Sequence, residues 1–212
     1  MVEVGRHYPT NHSGELLVTK YVNAFTVTVL FPTGFSKITR SDHILSGKVR
    51  DPYAPSLYGV GFIGVGKYLA SKAKICTPAY ERWSAMLQRC YSPLLHEKFP
   101  TYTDCTVAKE WHNFQIFAEW YYANVLPEYE LDKDILVDGN KVYSQSTCLF
   151  VSTQKNTEKA CAKNYIFVSP EGVITHVYNL TKFGRDNDLR RELLGKVHRR
   201  ERKHHKGWTK YE

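Results

Sequence analysis

No stretch of the 212 residues approaches the roughly 18 consecutive apolar side chains of a membrane span. The opening Met1-Val2-Glu3-Val4-Gly5-Arg6-His7 lacks the apolar centre of a secretory leader. Membrane insertion and export are therefore not expected, and the cytoplasm is the expected compartment. Cysteine is sparse: Cys76, Cys90, Cys105, Cys148 and Cys161 form no C-x-x-C pair and stand at no zinc-ligand spacing with histidine. Scattered thiols, odd in number, read as reduced and mostly buried rather than as a disulfide framework. The signature of disorder is missing too, because 42% hydrophobic and 14% aromatic residues supply core-forming material. The length suits one domain with attachments or two to three small modules, and excludes a large multidomain machine.

Positive charge is what the chain has in excess. Lysine and arginine number 29 against 21 acids, a net +8. Residues 176–212 alone hold eleven Lys and Arg against five acids, a surplus of six that makes up three quarters of the total. Such a balance points to an acidic partner. No amphipathic helix with a broad Trp/Phe/Leu face accompanies the charge, so no membrane partner is expected. Duplex DNA is the expected partner, with RNA or a host protein as the other open readings.

Hydrophobic patterning divides the chain. Phe25, Val27, Val29 and Phe31 alternate with Thr26, Thr28 and Leu30 along one strand. Pro32-Thr33-Gly34 then turns it into a return strand over Phe35 to Thr39. Gly59, Gly61 and Gly64 spell G-x-G-x-x-G but follow a proline-rich stretch with no βαβ periodicity, so they read as a glycine-rich turn and not a phosphate cradle. Tyr80, Trp83, Leu87, Cys90 and Tyr91 recur at helical spacing. Trp111, Phe114, Phe117, Trp120 and Tyr121 form a second stripe, stopped by Pro127, and read as core rather than as a base-stacking platform.

A compact run of signals follows. Glu130 to Val137 reads as a strand, Asp138-Gly139-Asn140 as a turn, Cys148 to Ser152 as a second strand and Thr153 to Lys163 as a helix, which together make a ββα unit. Tyr165 to Val168 and Val173 to Tyr178 form a hairpin around Ser169-Pro170-Glu171-Gly172. Two short helices come next. The first is capped by Asn179 with Leu180 and Phe183 inward, and the second follows Asp188 with Leu189, Leu193 and Leu194 inward. Two short helices in a basic context suggest a helix-turn-helix.

Chemistry is concentrated in two places. Asp132 and Asp134 stand at i and i+2, which on a strand puts both carboxylates on one face, where they could share a divalent cation. In the tail, Arg185, Arg190, Arg191, Lys196, Arg199 and Arg200, with Lys206, are spaced to reach phosphates. Arg190 and Arg191, near the start of the second helix, are the candidates for base-edge contacts.

Tyr80-x-x-Trp83-x-x-Met86-Leu87-x-Arg89-Cys90-Tyr91, then Pro100-Thr101-Tyr102, Val107, Trp111, Phe114 and Phe117, resembles the helical lead-in of phage-encoded HNH homing-type endonucleases. Leu131-Asp132-Lys133-Asp134, continuing through Gly139-Asn140-Lys141-Val142-Tyr143-Ser144 to Cys148, with Asn156 beyond, resembles their catalytic part. Ser169-Pro170-Glu171-Gly172, Tyr178-Asn179-Leu180, Phe183 and Lys206-Gly207-Trp208 resemble a nuclease-associated modular DNA-binding domain.

The resemblance implies metal-dependent cleavage or nicking of double-stranded DNA at a ββα-metal site, with Mg2+ or Mn2+ and no organic cofactor. It assigns Asp132, Lys133 and Asn156 to catalytic positions and Asp132, Asp134 and Asn156 to the metal. Two positions depart from the family pattern: its histidine falls on Lys133, and its central asparagine on Thr147. A lysine ammonium cannot take a proton from water near neutral pH, so Lys133 reads as a phosphate contact; His112 or His96 could supply a substitute base, with an ordinary helix-face or loop histidine as the other reading of each. The same departures motivate the alternative, a catalytically inactive DNA-binding protein acting as a phage regulator or as an inhibitor of a host system. The expected fold class is α+β. It comprises a β-rich module over residues 1–75, an HNH-like ββα domain with its helical lead-in over 76–163, and a basic DNA-binding module over 164–212.

Overall fold

The structure is a computed structural model, and it describes residues 1–137, 139–152 and 163–211. It is of the α+β class. By contact the chain divides into two compact units, Met1–Val125 with Lys133–Leu149, and Leu126–Asp132 with Phe150–Glu212.

The first unit opens with an antiparallel sheet in the order β1 (His7–Pro9), β2 (Glu15–Asn23), β3 (Thr26–Leu30) and β4 (Ser36–Thr39). One face carries the apolar alternation: Leu16, Val18, Val27, Val29 and Phe31 are buried together with Tyr8, Val49 and Ile44, the last from α1 (Ser41–Leu45). Burying each such side chain contributes about 1.5–3 kcal/mol. Phe25, expected on this inward face, is instead 66% exposed. The strand begins one residue later because Asn23 Oδ1 accepts the Phe25 N–H at 2.9 Å and holds that residue in the turn.

A small hairpin, β5 (Ser71–Lys72) with β6 (Ile75–Cys76), leads into α2 (Pro78–Tyr91). Thr77 caps that helix by accepting the Tyr80 N–H, and Pro78 sits at the first helical position, where no donor is needed. Ala79, Trp83, Met86, Leu87 and Cys90 make its buried face. Ser92 ends it and caps α3 (Pro93–Lys98). After β7 (Thr106–Val107), Asn113 caps α4 (Phe114–Asn124), which buries Phe114, Phe117, Ala118, Trp120 and Tyr121.

The aromatic stripe is core, as its spacing implies. Trp83 Nε1 donates to the Trp111 carbonyl at 2.7 Å, Trp111 packs on Trp120 at 4.7 Å, and Trp83 packs on Phe114 at 5.4 Å. The G-x-G-x-x-G stretch is wedged against these helices. A Cβ on Gly61 would stand 2.5 Å from Leu87 Cδ1 and 3.0 Å from the Trp83 ring, and Gly64 adopts φ +72° beside the Asn113 side chain. Glycine is required there for close packing and a left-handed turn.

The middle of the chain supplies β8 (Tyr129–Asp132), β9 (Val142–Tyr143) and β10 (Leu149–Ser152). In the first unit β9 runs parallel to β7, and in the second β8 pairs with β10. The helix expected over Thr153 to Lys163 falls almost wholly outside the described residues.

The second unit is built on β11 (Tyr165–Val168), flanked by β12 (Ile174–Val177) and β13 (Thr209–Lys210), both antiparallel to it. On this sheet lie α5 (Leu180–Asp186) and α6 (Arg191–His198). Phe167, Val177, Leu180, Leu189, Leu194 and Val197 form the core, with Tyr165, Phe183 and Trp208 packed around it. Asn179 caps α5 by accepting the Lys182 N–H at 2.9 Å, as its position before Leu180 predicts.

Candidate nucleic-acid interface

The Asp132 region departs from its expected geometry. The strand expected over Glu130 to Val137 ends at Asp132, and residues 133–137 are bends. The period-two argument that put Asp132 and Asp134 on one strand face therefore lapses.

The reason lies in Lys133, which is only 9% exposed. Its Nζ donates to the Asn140 carbonyl at 2.8 Å and to Asp134 Oδ2 at 3.3 Å, and stands 5.8 Å from the centre of the Tyr143 ring. Asn140 Nδ2 answers by donating to the Lys133 and Val142 carbonyls, each at 2.7 Å. An alternating sequence that would otherwise extend the strand is thus held by a clasp between Lys133 and Asn140. A buried ammonium demands hydrogen-bond partners, and here they are internal. The surroundings are apolar: burial, followed by the neighbouring Cys105, pushes the Cys90 thiol up to about 12. Burial likewise raises the Tyr143 phenol above its usual range.

Lys133 is therefore a structural side chain in this geometry and presents no surface charge to a phosphate. Asp134 fits a divalent cation poorly, because the Lys133 ammonium already lies against its carboxylate. Among the described residues no group of three or more His, Cys, Asp or Glu side chains gathers in a metal-holding arrangement. Asp132 is half-buried at the strand end. Asn156 lies outside the described residues.

The two proposed substitute bases are engaged on α2. His112 Nε2 lies 3.3 Å from the Tyr91 hydroxyl, and His96 Nε2 lies 2.8 Å from the Arg89 carbonyl. Thr147, which stands where the family pattern has asparagine, donates to the Val142 carbonyl at 2.7 Å and accepts the Ser144 N–H at 3.1 Å. It braces the turn before β10. Of the cysteines, Cys90, Cys105 and Cys148 are buried and Cys76 is exposed, while Cys161 lies outside the described residues.

The second unit gathers the cations. Four residues separate α5 from α6, and the turn is tight: Leu189 N–H donates to the Gly184 carbonyl at 2.6 Å. A Cβ on Gly184 would meet the Leu189 carbonyl oxygen at 2.7 Å, so glycine permits the close approach. A C-terminal loop clasps this turn. His205 Nε2 accepts the Arg190 N–H at 3.0 Å, while Lys206 Nζ donates to the Asp188 carbonyl at 2.8 Å and to its carboxylate at 2.7 Å. The Lys206 bond holds the Asp188 carboxyl below its usual range. Burial, with Arg202, Lys206 and Arg190 nearby, holds His205 below the ordinary histidine value.

These contacts sort the seven expected phosphate ligands. Arg199 is held by Glu201 through two hydrogen bonds of 2.7 and 3.2 Å, Lys206 by Asp188, and Arg185 lies 4.0 Å from Asp186. Arg190, Arg191, Lys196 and Arg200 are exposed, with no side-chain hydrogen bond or ion pair among the described residues.

A cleft of about 500 Å3 runs along α6, lined by Lys163, Arg191, Lys196 and Arg199, with Glu192 as its acid and Tyr165 and Leu180 in its wall. A second, of about 610 Å3, lies past the end of α6 and collects Arg200, Arg202, Lys203 and Lys210. Arg202, Lys203 and Lys210 are absent from the set chosen by sequence spacing. Lys210 reaches the consecutive Arg202 and Lys203 through the pairing of β13 with β11. No described helix is long and apolar enough to cross a membrane.

No protein-family model matches the chain, and no curated protein matches it. Among solved structures, one described as DNA binding and cleavage by the HNH homing endonuclease I-HmuI aligns at 21% identity with a TM-score of 0.23. The alignment covers 41% of this chain and 59% of that one, so the chain spans about three fifths of the structure it matches. A likeness at that score establishes neither a shared fold nor a shared activity.

Proposed function

We propose that this chain binds duplex DNA through its C-terminal unit. The observation that carries the reading is the α5–turn–α6 pair on its small sheet, with a cleft along α6 lined by Lys163, Arg191 and Lys196, where Glu192 is the one acid among the described lining residues. Exposed arginine and lysine beside a short second helix suit phosphate neutralisation. Arg190 and Arg191, at the start of that helix, are the residues for base edges. The clasp formed by His205 and Lys206 fixes the turn that aims the helix.

A second reading, metal-dependent cleavage with Mg2+ or Mn2+, is favoured by one observation: Asp132 ends β8, and its partner strand β10 leads into the segment that holds Asn156. This order agrees with the ββα resemblance.

Incubating purified protein with supercoiled plasmid in Mg2+, Mn2+ or EDTA, and scoring mobility and nicking on parallel gels, separates the two readings. The binding reading expects a salt-sensitive shift in all three conditions, and the absence of a shift in every one defeats it. The cleavage reading further expects metal-dependent nicking that disappears in Asp132→Ala. Nicking that persists undiminished in that variant removes Asp132 from the site.

A further inference from the structure

We infer that the cleft lined by Arg200, Arg202, Lys203 and Lys210 is a binding site for the phosphodiester backbone of a DNA duplex, and that it grips phosphate in place of Arg185. The inference rests on the reading that this unit binds duplex DNA and names the surface that does so.

The segment after α6 reads Arg199-Arg200-Glu201-Arg202-Lys203. Its single acid is turned away from the cleft: Glu201 takes Arg199 through two hydrogen bonds, and its own carboxyl is held below the usual range by that contact. The helix ends by donating Arg200 N–H to the Val197 carbonyl at 3.0 Å and Glu201 N–H to the Lys196 carbonyl at 2.9 Å, with Arg200 at φ +63°. This reversal separates the paired residues 199 and 201 from Arg200, Arg202 and Lys203, which line the cleft.

From the other side, the pairing of Val168 with Thr209 and of Phe167 with Lys210 delivers Lys210 and Tyr211 to the same cleft. Arg202 is steadied by donating Nε to the His204 carbonyl at 2.6 Å, which leaves its terminal N–H groups for a ligand. The side chains of Arg200, Lys203 and Lys210 have no hydrogen bond or ion pair among the described residues, and no described carboxylate lines the cleft.

Four cations held around one concavity repel one another, and a polyanion relieves that repulsion. The side chains of Val168 and Val197 in its lining are apolar and do not compete for the cations, and the Thr209 and Tyr211 hydroxyls are further donors of the type that contacts phosphate. The helix α6 is a wall of both clefts, through Arg191 and Lys196 on one and Val197 on the other. A helix bordered by two cationic grooves matches the form of a duplex, whose groove is bordered by two phosphate strands.

Fluorescence anisotropy of a labelled duplex, titrated at several salt concentrations, tests the inference with three proteins. These are the natural chain, Arg202→Gln/Lys203→Gln/Lys210→Gln, and Arg185→Gln, each checked by circular dichroism. The triple variant is expected to bind about 10-fold or more weakly near 0.1 M salt, with a slope of log affinity against log salt shallower by roughly 2 to 3, at about 0.9 for each phosphate no longer neutralised. The Arg185→Gln variant is expected to stay within about twofold, because that guanidinium lines neither cleft and lies beside Asp186. A folded triple variant with the natural affinity and slope overturns the assignment and leaves DNA binding intact. So does an Arg185→Gln variant that loses as much. If the triple variant fails to fold, Lys203→Gln and Lys210→Gln made singly must each make the slope shallower by about 0.9, and unchanged slopes overturn the assignment. A natural chain that binds no duplex at any salt overturns both readings.

Discussion

Lowering the pH should loosen the C-terminal unit through one imidazole. His205 is 6% exposed, and its Nε2 accepts the Arg190 N–H at 3.0 Å, so the ring is neutral with its proton on Nδ1. Protonation would set a ring N–H against a backbone N–H, in a place where burial and the neighbouring cations already disfavour charge.

The folded value thus lies below the ordinary 6.5, and near that pH the unfolded chain binds more protons. The stability that His205 contributes is complete above about pH 6.5 and is lost progressively as pH falls below it. The loss approaches about 1.4 kcal/mol per pH unit for one proton. Thermal melts of the natural chain and of His205→Gln, whose amide oxygen can still accept the Arg190 N–H, between about pH 7.5 and about pH 5, isolate this contribution. The natural chain should lose stability more steeply than the variant below about pH 6.5. Identical slopes, or a His205 ring that titrates in NMR at or above 6.5, would refute the reasoning.

Three further outcomes follow from the packing. Gly184→Ala should destabilise the second unit by roughly 0–2 kcal/mol in urea melts, because a clash of about 1–3 kcal/mol with the Leu189 carbonyl outweighs the roughly 1 kcal/mol of helix propensity that alanine adds. Trp83→Phe leaves the buried Trp111 carbonyl without its donor and should lower the stability of the first unit by about 1–3 kcal/mol, read by the same melts. Lys133→Ala removes the clasp to Asn140 and should also destabilise the first unit, by about 3 kcal/mol. Its duplex affinity at low temperature should match the natural chain, and a large loss there would return Lys133 to the phosphate contacts.

The sequence was most readable where one physical signal acted alone. Apolar spacing located α2 and α4, Asn179 marked a helix start, and Ser169-Pro170-Glu171-Gly172 marked a hairpin, because caps, turns and buried stripes are local. The strand β2 escaped notice because only Leu16 and Val18 of its nine residues are fully buried, and its register to β3 shifts twice, which blurs the alternation. Glu130 to Val137 alternates well enough to read as a strand, yet Lys133 finds its partner seven residues away in Asn140 and turns inward.

The same distinction governs the candidate interface. That the tail is basic is evident from composition, but which cations are engaged depends on contacts such as Lys206 with Asp188, 18 residues apart in the chain. Lys210 joins Arg200 only through the β11–β13 pairing, which a two-residue strand hardly announces in sequence.

Hydrogen–deuterium exchange of the whole chain, with and without an excess of duplex DNA, tests the central claim most directly. The account predicts slowed exchange across Arg190–His198 and Arg200–Tyr211, with the β1–β4 sheet unchanged. Protection confined to that N-terminal sheet, with none around α6, would contradict it.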